Sequence, residues 1–313
     1  MVAEIKRLFD DLNLEKLRIN RPSKFMFLCG GVISKSADAK PENLRDYLCR
    51  VRPLKLHHPI ILAEGAVELY RKTHYHDLIS FEEDLARIAS VVLVIVESPG
   101  SFAELGAFAS NDTIRKALKV IIQEEYETAE SFVRYGPVER VSKAQRSDLG
   151  VYPWRMRAGK LVVRSTISHY SHIKKFFNLH LDSTPRSMSF GSLEDAKLFY
   201  IIYWAVFVCL AVSPGRLFAY VQLIEPTAKY DDFRNKLFCM QLADWIGREA
   251  YSGQDYFYAK FDDDPFNYKF KPGVLETRSV LRKQAIFLAH DHVEKIPNYV
   301  RKVASKAREA KAP

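Results

Sequence analysis

The fold is decided by the stretch Val91-Val-Leu-Val-Ile-Val-Glu-Ser-Pro-Gly-Ser-Phe-Ala-Glu-Leu-Gly-Ala-Phe108. Its first six residues are apolar and mostly β-branched, and they lack the polar alternation of a strand with one face in water. They predict a parallel strand that is covered on both faces. A turn, Glu97-Ser-Pro-Gly-Ser101, follows at once, and apolar residues then recur at helical spacing. The stretch therefore predicts a strand, a loop and a helix.

Similar units lie on both sides of this stretch, between Phe25 and Gln123. Short apolar runs alternate there with helical patterns, which is typical of a parallel sheet with crossover helices. The predicted strands are Phe25–Cys29, Pro59–Ala63, Val91–Val96 and Val120–Gln123, and the predicted helices are Glu42–Val51, Ser80–Ile88 and Phe102–Ser110. We predict an α/β domain over residues 1–140.

Two loops leave the carboxyl ends of predicted strands, which is where ligands bind in open α/β sheets. Cys29-Gly30-Gly31 follows the first strand, and Glu97-Ser-Pro-Gly-Ser101 follows the third. Glycines let the backbone approach a ligand closely, and the second loop enters a helix whose free N–H groups favour anions. Together the loops predict a phosphate-bearing ligand.

Glu104 has two interpretations. Ser101-Phe-Ala-Glu104 has the S-x-x-E pattern of a capping box, which is a structural role. The same position aims a carboxylate across the top of the sheet, where the positive helix end helps to keep it ionised for nucleophilic attack. Such an anion suits cleavage of an N-glycosidic bond, because it stabilises or traps the oxocarbenium-like charge at the anomeric carbon.

Three separated motifs resemble the nucleoside-deoxyribosyltransferase-like effector proteins of bacterial retrons. They are Phe27-Leu-Cys-Gly-Gly31, Glu97 to Phe108, and Phe132-Val-Arg-Tyr-Gly-Pro-Val138, in that order. The resemblance spans about Lys24 to Val138. It implies an anti-phage toxin with a nucleoside deoxyribosyltransferase-like fold, with NAD or a related nucleotide as substrate and without a cofactor. It also implies control by a reverse transcriptase and multicopy single-stranded DNA, in an oligomer or larger complex.

The resemblance also assigns site residues by position. Glu104 matches the nucleophilic glutamate of the wider deoxyribosyltransferase superfamily, and Gly100-Ser101 matches its Gly-Thr turn. Glu97 lies near the aspartate that the superfamily uses at the ribose, about one residue out of register, and Glu64 follows the second strand where the family often has an acid. We therefore predict that Glu104 is the catalytic residue. The residues predicted to bind the substrate are Cys29, Gly30, Gly31, Glu64, Glu97, Ser98, Gly100 and Ser101.

The chain becomes basic and rich in turns after Tyr135-Gly-Pro, and we predict a basic hairpin and linker over residues 141–190. Two short segments flank Ala158-Gly159, a pair typical of a tight hairpin turn. The residues predicted to contact nucleic-acid phosphates are Arg155, Arg157, Lys160 and Arg164, and those predicted to stack on bases are Tyr152 and Trp154.

Residues 191–313 are predicted to form a helical, winged-helix-like nucleic-acid-binding domain. Helical patterns cover Leu198–Val212, Arg216–Leu223 and Tyr230–Glu249. Ser192 and Asp195 fit a capping box before the first helix, and Ser213-Pro-Gly fits its end. Tyr256-Phe-Tyr-Ala-Lys-Phe and Phe266-Asn-Tyr-Lys-Phe bracket an acidic turn and predict a two-stranded ribbon.

Composition narrows the setting of this protein. Its 47 Lys and Arg against 38 Asp and Glu give a net charge of +9, which favours a polyanionic partner. Leu198–Val212 is shorter than the ~20 residues of a membrane span, so we expect no membrane role. The four cysteines are far apart and the N-terminus has no secretory pattern, which favours a cytoplasmic location. His57-His58 and the group from His74 to Asp77 lack metal-ligand spacing, so no metal is expected.

Two further functions fit the same sequence. Gly-Ser-x-x-Glu is also similar to the Gly-Thr-x-x-Glu turn of nucleotide phosphoribohydrolases, which allows a nucleoside or nucleotide N-ribohydrolase or deoxyribosyltransferase outside a retron. The α/β domain could instead sense a nucleotide without catalysis while the basic segments bind DNA. A panel of nucleosides, nucleotides and NAD separates the first of these from NAD cleavage.

Overall fold

A computed structural model of the protein describes residues 2–63 and 73–311, which form two compact units. The first, called here the α/β unit, contains residues 24–63 and 76–184. The second, called the helical unit, contains residues 2–23, 73–75 and 185–311.

The elements are numbered in chain order within the described residues. The helices are α1 (Val2–Asp10), α2 (Leu44–Asp46), α3 (Leu78–Ile88), α4 (Pro99–Ser110), α5 (Asp112–Arg115), α6 (Glu124–Thr128), α7 (Glu139–Ala144), α8 (Arg164–Ile167), α9 (Tyr170–Ser183), α10 (Lys197–Val208), α11 (Pro214–Ile224), α12 (Tyr230–Leu242), α13 (Glu276–Glu294) and α14 (Asn298–Glu309). The strands are β1 (Arg18–Asn20), β2 (Met26–Cys29), β3 (Ile60–Leu62), β4 (Val91–Val96), β5 (Leu118–Gln123), β6 (Leu149–Tyr152), β7 (Met156–Arg157), β8 (Lys160–Leu161), β9 (Ser187–Ser189), β10 (Ala211–Val212), β11 (Ile246–Tyr251), β12 (Gln254–Ala259) and β13 (Phe266–Asn267). Wider, π-helical turns cover Tyr47–Val51 and Arg134–Val138.

The α/β unit is built on a five-stranded parallel sheet in the order β3-β2-β4-β5-β6. Every residue of β4 is buried, because apolar side chains on both faces must be covered by other elements. The predicted α/β sheet is thus confirmed. The chain runs outward from β2 to β3 and then returns to β4 on the other side of β2. This reversal of strand order makes the crevice at the carboxyl ends of β2 and β4 the expected place for a ligand.

The α/β unit extends beyond the predicted boundary at residue 140. Strand β6 pairs with β5, with Gly150 opposite Ile121, and so completes the sheet. Trp154, Leu161 and Phe177 pack into the same apolar core as Met26 and Leu93. Residues 141–184 therefore belong to this unit and do not form a separate linker, and residues 2–23 lie with the helical unit instead.

The predicted hairpin near Ala158 is confirmed. Strands β7 and β8 are antiparallel, and Ala158 and Gly159 both have positive φ, at 49° and 71°. Positive φ at both central residues is the geometry of a type I′ turn, whose twist matches that of the strands. Trp154, which precedes the hairpin, is only 2% exposed, so the predicted stacking of its ring on a base is wrong.

In the helical unit the order is α10, β10, α11, α12, β11 and β12, and the three strands form an antiparallel sheet in the order β10-β12-β11. Helix α10 is buried on nearly all sides, as its apolar sequence requires. It ends at Val208 because Ala211 and Val212 pair with β12.

The predicted ribbon is placed wrongly. The hairpin is formed by β11 and β12, and its turn at Ser252-Gly253 has positive φ at both residues. Phe266 and Asn267 pair with β1 instead. The predicted helix Tyr230–Glu249 accordingly ends at Leu242, because the chain from Ile246 onward is a strand.

The two predicted boundaries of α10 also differ. The Ser192 hydroxyl donates to the Ser189 carbonyl at 2.8 Å, and no side chain caps α10. Ser213 is the residue before α11, with Pro214 in the first helical position, so Ser213-Pro-Gly begins a helix. Within residues 2–63 and 73–311, no helix has both the length and the apolarity needed to cross a membrane.

Candidate functional site

The two loops predicted to form a site meet at the carboxyl ends of β2 and β4. The Gly31 N–H donates to Glu97 Oε1 at 3.1 Å, and the Ser98 hydroxyl donates to the Gly30 carbonyl at 3.3 Å. Strand register causes this contact, because Cys29 at the end of β2 lies beside Val94 of β4. The loops therefore form one surface at the point where ligands bind in sheets of this kind.

Glu97 joins three pieces of backbone. Its carboxylate accepts N–H groups from Gly31, Leu44 and Arg45 at 3.1, 2.7 and 3.0 Å. Burial raises the pKa of Glu97 to about 7, against the opposing effects of these three donors and of the Arg45 charge. Glu97 thus ties the loop after β2 and the start of α2 to the end of β4. Both of its oxygens are engaged with backbone, so its first role is to shape the site.

Arg45 lies beneath this loop and is 1% exposed. Its guanidinium donates to the carbonyls of Leu28 at 2.7 Å and Gly31 at 3.1 Å. The charge is compensated by these carbonyl dipoles and by the Glu97 carboxylate. Sequence reasoning missed Arg45, since a basic residue in a helical pattern is ordinarily assigned to the solvent face.

The two glycines of the first loop are required by neighbouring protein atoms. A β-carbon at Gly30 would lie 2.8 Å from Arg45 Cδ, and one at Gly31 would lie 2.5 Å from Asn43 Nδ2. The Asn43 side chain is fixed in turn, because it donates to the Val32 carbonyl and accepts from the Asp46 N–H. Close packing inside the protein therefore requires glycine at both positions, and their predicted contact with substrate stays a prediction.

Helix α4 begins one turn earlier than the capping pattern indicated. Ser98 is its N-cap, and its side chain accepts the Ser101 N–H at 3.2 Å. The Ser101 hydroxyl accepts the N–H groups of Glu97 and Ser98 at 3.0 and 2.9 Å, which completes a capping box. The interpretation of Ser101 and Glu104 as the capping pair is therefore wrong. Glu104 lies in the second turn of the helix, outside the cap.

Glu104 is half-buried. Around the axis of α4 its position lies between those of the core residues Leu105 and Phe108 and that of the exposed Ala103. It follows Ser101 by three residues, a spacing that puts two side chains next to each other on a helix. Since Ser101 is bonded to the Glu97-Ser98 turn, Glu104 lies on the side of α4 that continues from that turn. Gly100 is exposed, and a β-carbon there would lie 3.9 Å from Ser98 Oγ, an ordinary contact distance. Glu64, the other predicted acid, lies outside the described residues.

A second carboxylate supports the loop that precedes α2. Asp46 accepts N–H groups from Ser34 and Glu42 at 3.3 and 3.0 Å, and Arg50 binds both of its oxygens at 2.6 and 2.7 Å. Burial acts to raise the pKa of Asp46, but the Arg50 bond and the two backbone donors outweigh it and hold that pKa below its usual value. The i,i+4 spacing of Asp46 and Arg50 was the available sequence signal.

The four basic residues predicted to contact nucleic acid are all exposed. Lys160 forms an ion pair with Glu42 at 2.8 Å. The other three, Arg155, Arg157 and Arg164, have no ion-pair partner among the described residues and remain available to a polyanion.

Within the described part of the chain, no group of three or more His, Cys, Asp or Glu side chains has the arrangement of a metal site. His57 and His58 instead lie 3.7 and 3.8 Å from Asp182. Cys29, Cys209 and Cys239 are buried, and Cys49 is half-buried.

The sequence of this chain is similar to those of retron proteins. The STM3845 retron effector protein family matches residues 41–248. An Escherichia coli protein named "Retron Ec86 putative ribosyltransferase/DNA-binding protein" is 33% identical over 118 residues, which are 38% of this chain and 37% of that protein. A second, "Retron Ec73 putative ribosyltransferase/DNA-binding protein", also of Escherichia coli, is 26% identical over 165 residues, covering 50% of this chain and 51% of that protein. The matched segments thus span about a third to a half of these relatives.

Proposed function

We propose that this chain, which belongs to the STM3845 retron effector protein family, is an anti-phage toxin that cleaves the N-glycosidic bond of NAD or a related nucleotide. The observation that carries the proposal is the position of Glu104 on α4. Ser98 and Ser101 form the helix cap, so the Glu104 carboxylate lies outside the cap, on the helix that begins at the reversal point of the sheet. The ribosyltransferase names of two relatives support the same chemistry.

In the proposed reaction the Glu104 carboxylate attacks the anomeric carbon of the ribose. A bond forms between carboxylate oxygen and carbon, the carbon–nitrogen bond breaks, and its electron pair leaves with the base. The nicotinamide ring of NAD is cationic, so it departs as a neutral molecule without a proton. Water then attacks the same carbon, loses a proton to solvent and returns Glu104 as a carboxylate.

We propose that the α/β unit has the nucleoside deoxyribosyltransferase-like fold. Support comes from its parallel strand order and from the two loops that meet at the carboxyl ends of β2 and β4. The helical unit is proposed to be a winged helix, since its order of helix, strand, helix, helix and two-stranded hairpin matches that architecture.

The proposed partners are the retron reverse transcriptase and multicopy single-stranded DNA, in an oligomer or larger complex. In a winged helix α12 would be the reading helix, but Lys236 is buried on it and pairs with Asp232 at 2.7 Å. Another side of α12 is occupied where the His74 N–H donates to Asn235 and the Tyr75 hydroxyl contacts Cys239. Little positive charge on α12 is left for DNA.

Helix α14 offers a better surface for single-stranded DNA. Lys302 and Lys306 are exposed one turn apart, and Tyr299 stacks on Tyr251 of the β11–β12 hairpin with ring centroids 6.4 Å apart. Exposed aromatic rings beside lysines are the elements with which proteins hold single strands. We assign the contact of the helical unit with DNA to this face and not to α12.

Anisotropy of a fluorescein-labelled oligothymidylate, measured over a salt series, tests this assignment. Replacing Lys302 and Lys306 by Ala should lower the slope of log affinity against log salt by about 0.7 for each lysine. Arg234→Ala removes an exposed charge from α12 and should leave affinity unchanged. Loss of binding in Arg234→Ala alone would contradict the assignment.

The catalytic proposal is tested on the retron complex isolated with its reverse transcriptase and DNA after phage infection. The parent complex should release nicotinamide from NAD, and Glu104→Gln should lower the rate by at least about a thousandfold because the nucleophile is lost. Asp112→Asn, an equal charge change at an exposed site on α5, is the control and should remain active. Equal NAD loss in parent and Glu104→Gln complexes refutes the proposal. Release of a base from nucleoside monophosphates alone would make the protein a nucleotide N-ribohydrolase.

A further inference from the structure

The helical unit contains a cavity of about 400 Å³, and its lining residues, between Phe207 and Arg308, are distant in sequence from Glu104. Its apolar walls come from Phe207 and Val208 of α10 and from Phe287 and Leu288 of α13. Gln284 and two cations, Lys283 and Arg308, complete the lining. This volume is within the range of pockets that hold small molecules.

Arg308 lacks the partner that a largely buried cation normally has. It donates to the Phe207 carbonyl at 2.7 Å, and its guanidinium lies 4.6 Å from the centre of the Phe207 ring. No carboxylate lies within ion-pair distance of it among the described residues, and its buried Nε has no hydrogen-bond partner there. Burial lowers the pKa of Arg308, which expresses the cost of holding this charge away from water.

Asp264, an acid whose charge acts on Arg308, already has an ion-pair partner. Asp264 forms an ion pair with Lys283, so it does not neutralise Arg308 directly. Lys283 also lies 5.7 Å from the Phe207 ring, which brings both cations to the same wall of the cavity. The charges of Asp262 and Asp264 act on Arg308 without forming an ion pair with it among the described residues. Because Asp264 pairs with Lys283, an anion placed in the cavity would be stabilised chiefly by Coulomb attraction to Arg308.

The rim of the cavity is apolar and open to solvent. Leu288 is 68% exposed and Phe287 is 38% exposed, whereas Phe207 and Val208 are buried. Exposed apolar residues grouped at the mouth of a cavity indicate a surface that is covered when a ligand is present. The rim residues Phe287 and Leu288 thus favour an apolar part of a ligand, and Arg308 favours a negatively charged group.

We propose that this cavity is a binding site for a small apolar anion, an aromatic or aliphatic body that carries one carboxylate, sulfonate or phosphate group. The acidic group pairs with the Arg308 guanidinium, and the apolar body lies between Phe287, Leu288 and the Phe207 ring. This site is separate from the proposed glycosidic chemistry and does not depend on it.

Fluorescence titration of the full chain with 8-anilinonaphthalene-1-sulfonate tests the site. We expect saturable binding that weakens at least about tenfold in Arg308→Gln, because a charge-assisted hydrogen bond is lost. N-phenyl-1-naphthylamine has a similar apolar body without the sulfonate, and its weaker binding should not change in that variant. Displacement of the dye by decanoate would identify an aliphatic acid, and displacement by adenosine monophosphate would identify a nucleotide.

A second variant keeps the test sound if Arg308→Gln disturbs folding. Leu288→Glu adds a negative charge at the exposed rim and should also weaken dye binding about tenfold. Val293→Glu makes the same change at an exposed position of α13 that does not line the cavity, and it should bind the dye as the parent does. Dye affinity that is unchanged in both Arg308→Gln and Leu288→Glu overturns the proposal.

Discussion

Replacement of Glu97 by glutamine tests the role of this carboxylate in building the site. In the native chain three N–H groups, from Gly31, Leu44 and Arg45, donate to its two oxygens. An amide has one oxygen and one NH₂ group, so it cannot accept all three donors. Even in its better orientation, the amide keeps the bonds from Gly31 and Arg45 and turns its own hydrogens toward the Leu44 N–H.

The expected loss of stability follows from this geometry. A buried donor left without an acceptor costs roughly 1–3 kcal/mol. A loss of about 2 kcal/mol lowers the melting temperature by about 4–8 °C for a domain of roughly this size. The same change should lower turnover of the active complex, since Glu97 holds the loop after β2 against the turn that precedes α4.

Differential scanning calorimetry of the purified chain measures this effect, with Asp112→Asn as the matched control. Asp112 is exposed, and its replacement should change stability by no more than about 0.5 kcal/mol. If Glu97→Gln unfolds at the temperature of the parent, the three hydrogen bonds do not stabilise the protein in solution. The assignment of Glu97 as the tie between the loops would then fail.

Three further predictions concern the same loops. Glu97 has a folded pKa of about 7, above its ordinary value of 4.5. Its contribution to the stability of the fold is therefore full below pH 4.5 and is lost as the pH rises to about 7. The stability difference between parent and Glu97→Gln, followed by urea titration, should shrink from pH 5 to pH 8, and a constant difference contradicts the shift. Gly31→Ala should lower the melting temperature because its β-carbon would lie 2.5 Å from Asn43 Nδ2. Gly100→Ala should keep the melting temperature, because its β-carbon would lie at an ordinary contact distance of 3.9 Å from Ser98 Oγ; calorimetry of both variants decides this. Ser98→Ala removes the cap of α4 and should cost about 1 kcal/mol by urea titration, with Ser110→Ala at the other end of that helix as the control.

The sequence predicted those parts of the fold in which one local pattern has one explanation. Strand β4 was assigned correctly because six apolar residues in a row between a helical pattern and a Pro-Gly turn fit only a buried strand. The type I′ turn at Ala158-Gly159 was also local, since glycine at its second central position adopts positive φ without steric cost.

The errors arose where partners distant in sequence decide the structure. Leu149–Tyr152 is a short run in a basic stretch, and only its pairing with β5 makes it the fifth strand. Ile246–Glu249 was predicted as the end of a helix but belongs to β11, where Gly247 packs so closely on Tyr258 that a β-carbon there would lie 2.2 Å from its ring. Arg45 is buried and donates to the carbonyls of Leu28 in β2 and Gly31 in the loop after it, partners that no periodicity reveals.

The position of Glu104 shows how a boundary changes a chemical assignment. From the sequence, Ser101 and Glu104 formed a capping pair as well as a catalytic candidate, and nothing local separated these roles. The end of β4 at Val96 separates them, because the chain turns at Glu97 and the first hydroxyl that can cap the helix is that of Ser98. Once Ser98 and Ser101 cap the helix, Glu104 lies beyond the cap in the second turn, where a capping role no longer explains a half-buried carboxylate. The shift of the helix start by one turn therefore removes the capping interpretation of Glu104, and replacement by glutamine tests the proposed chemical role without removing the cap.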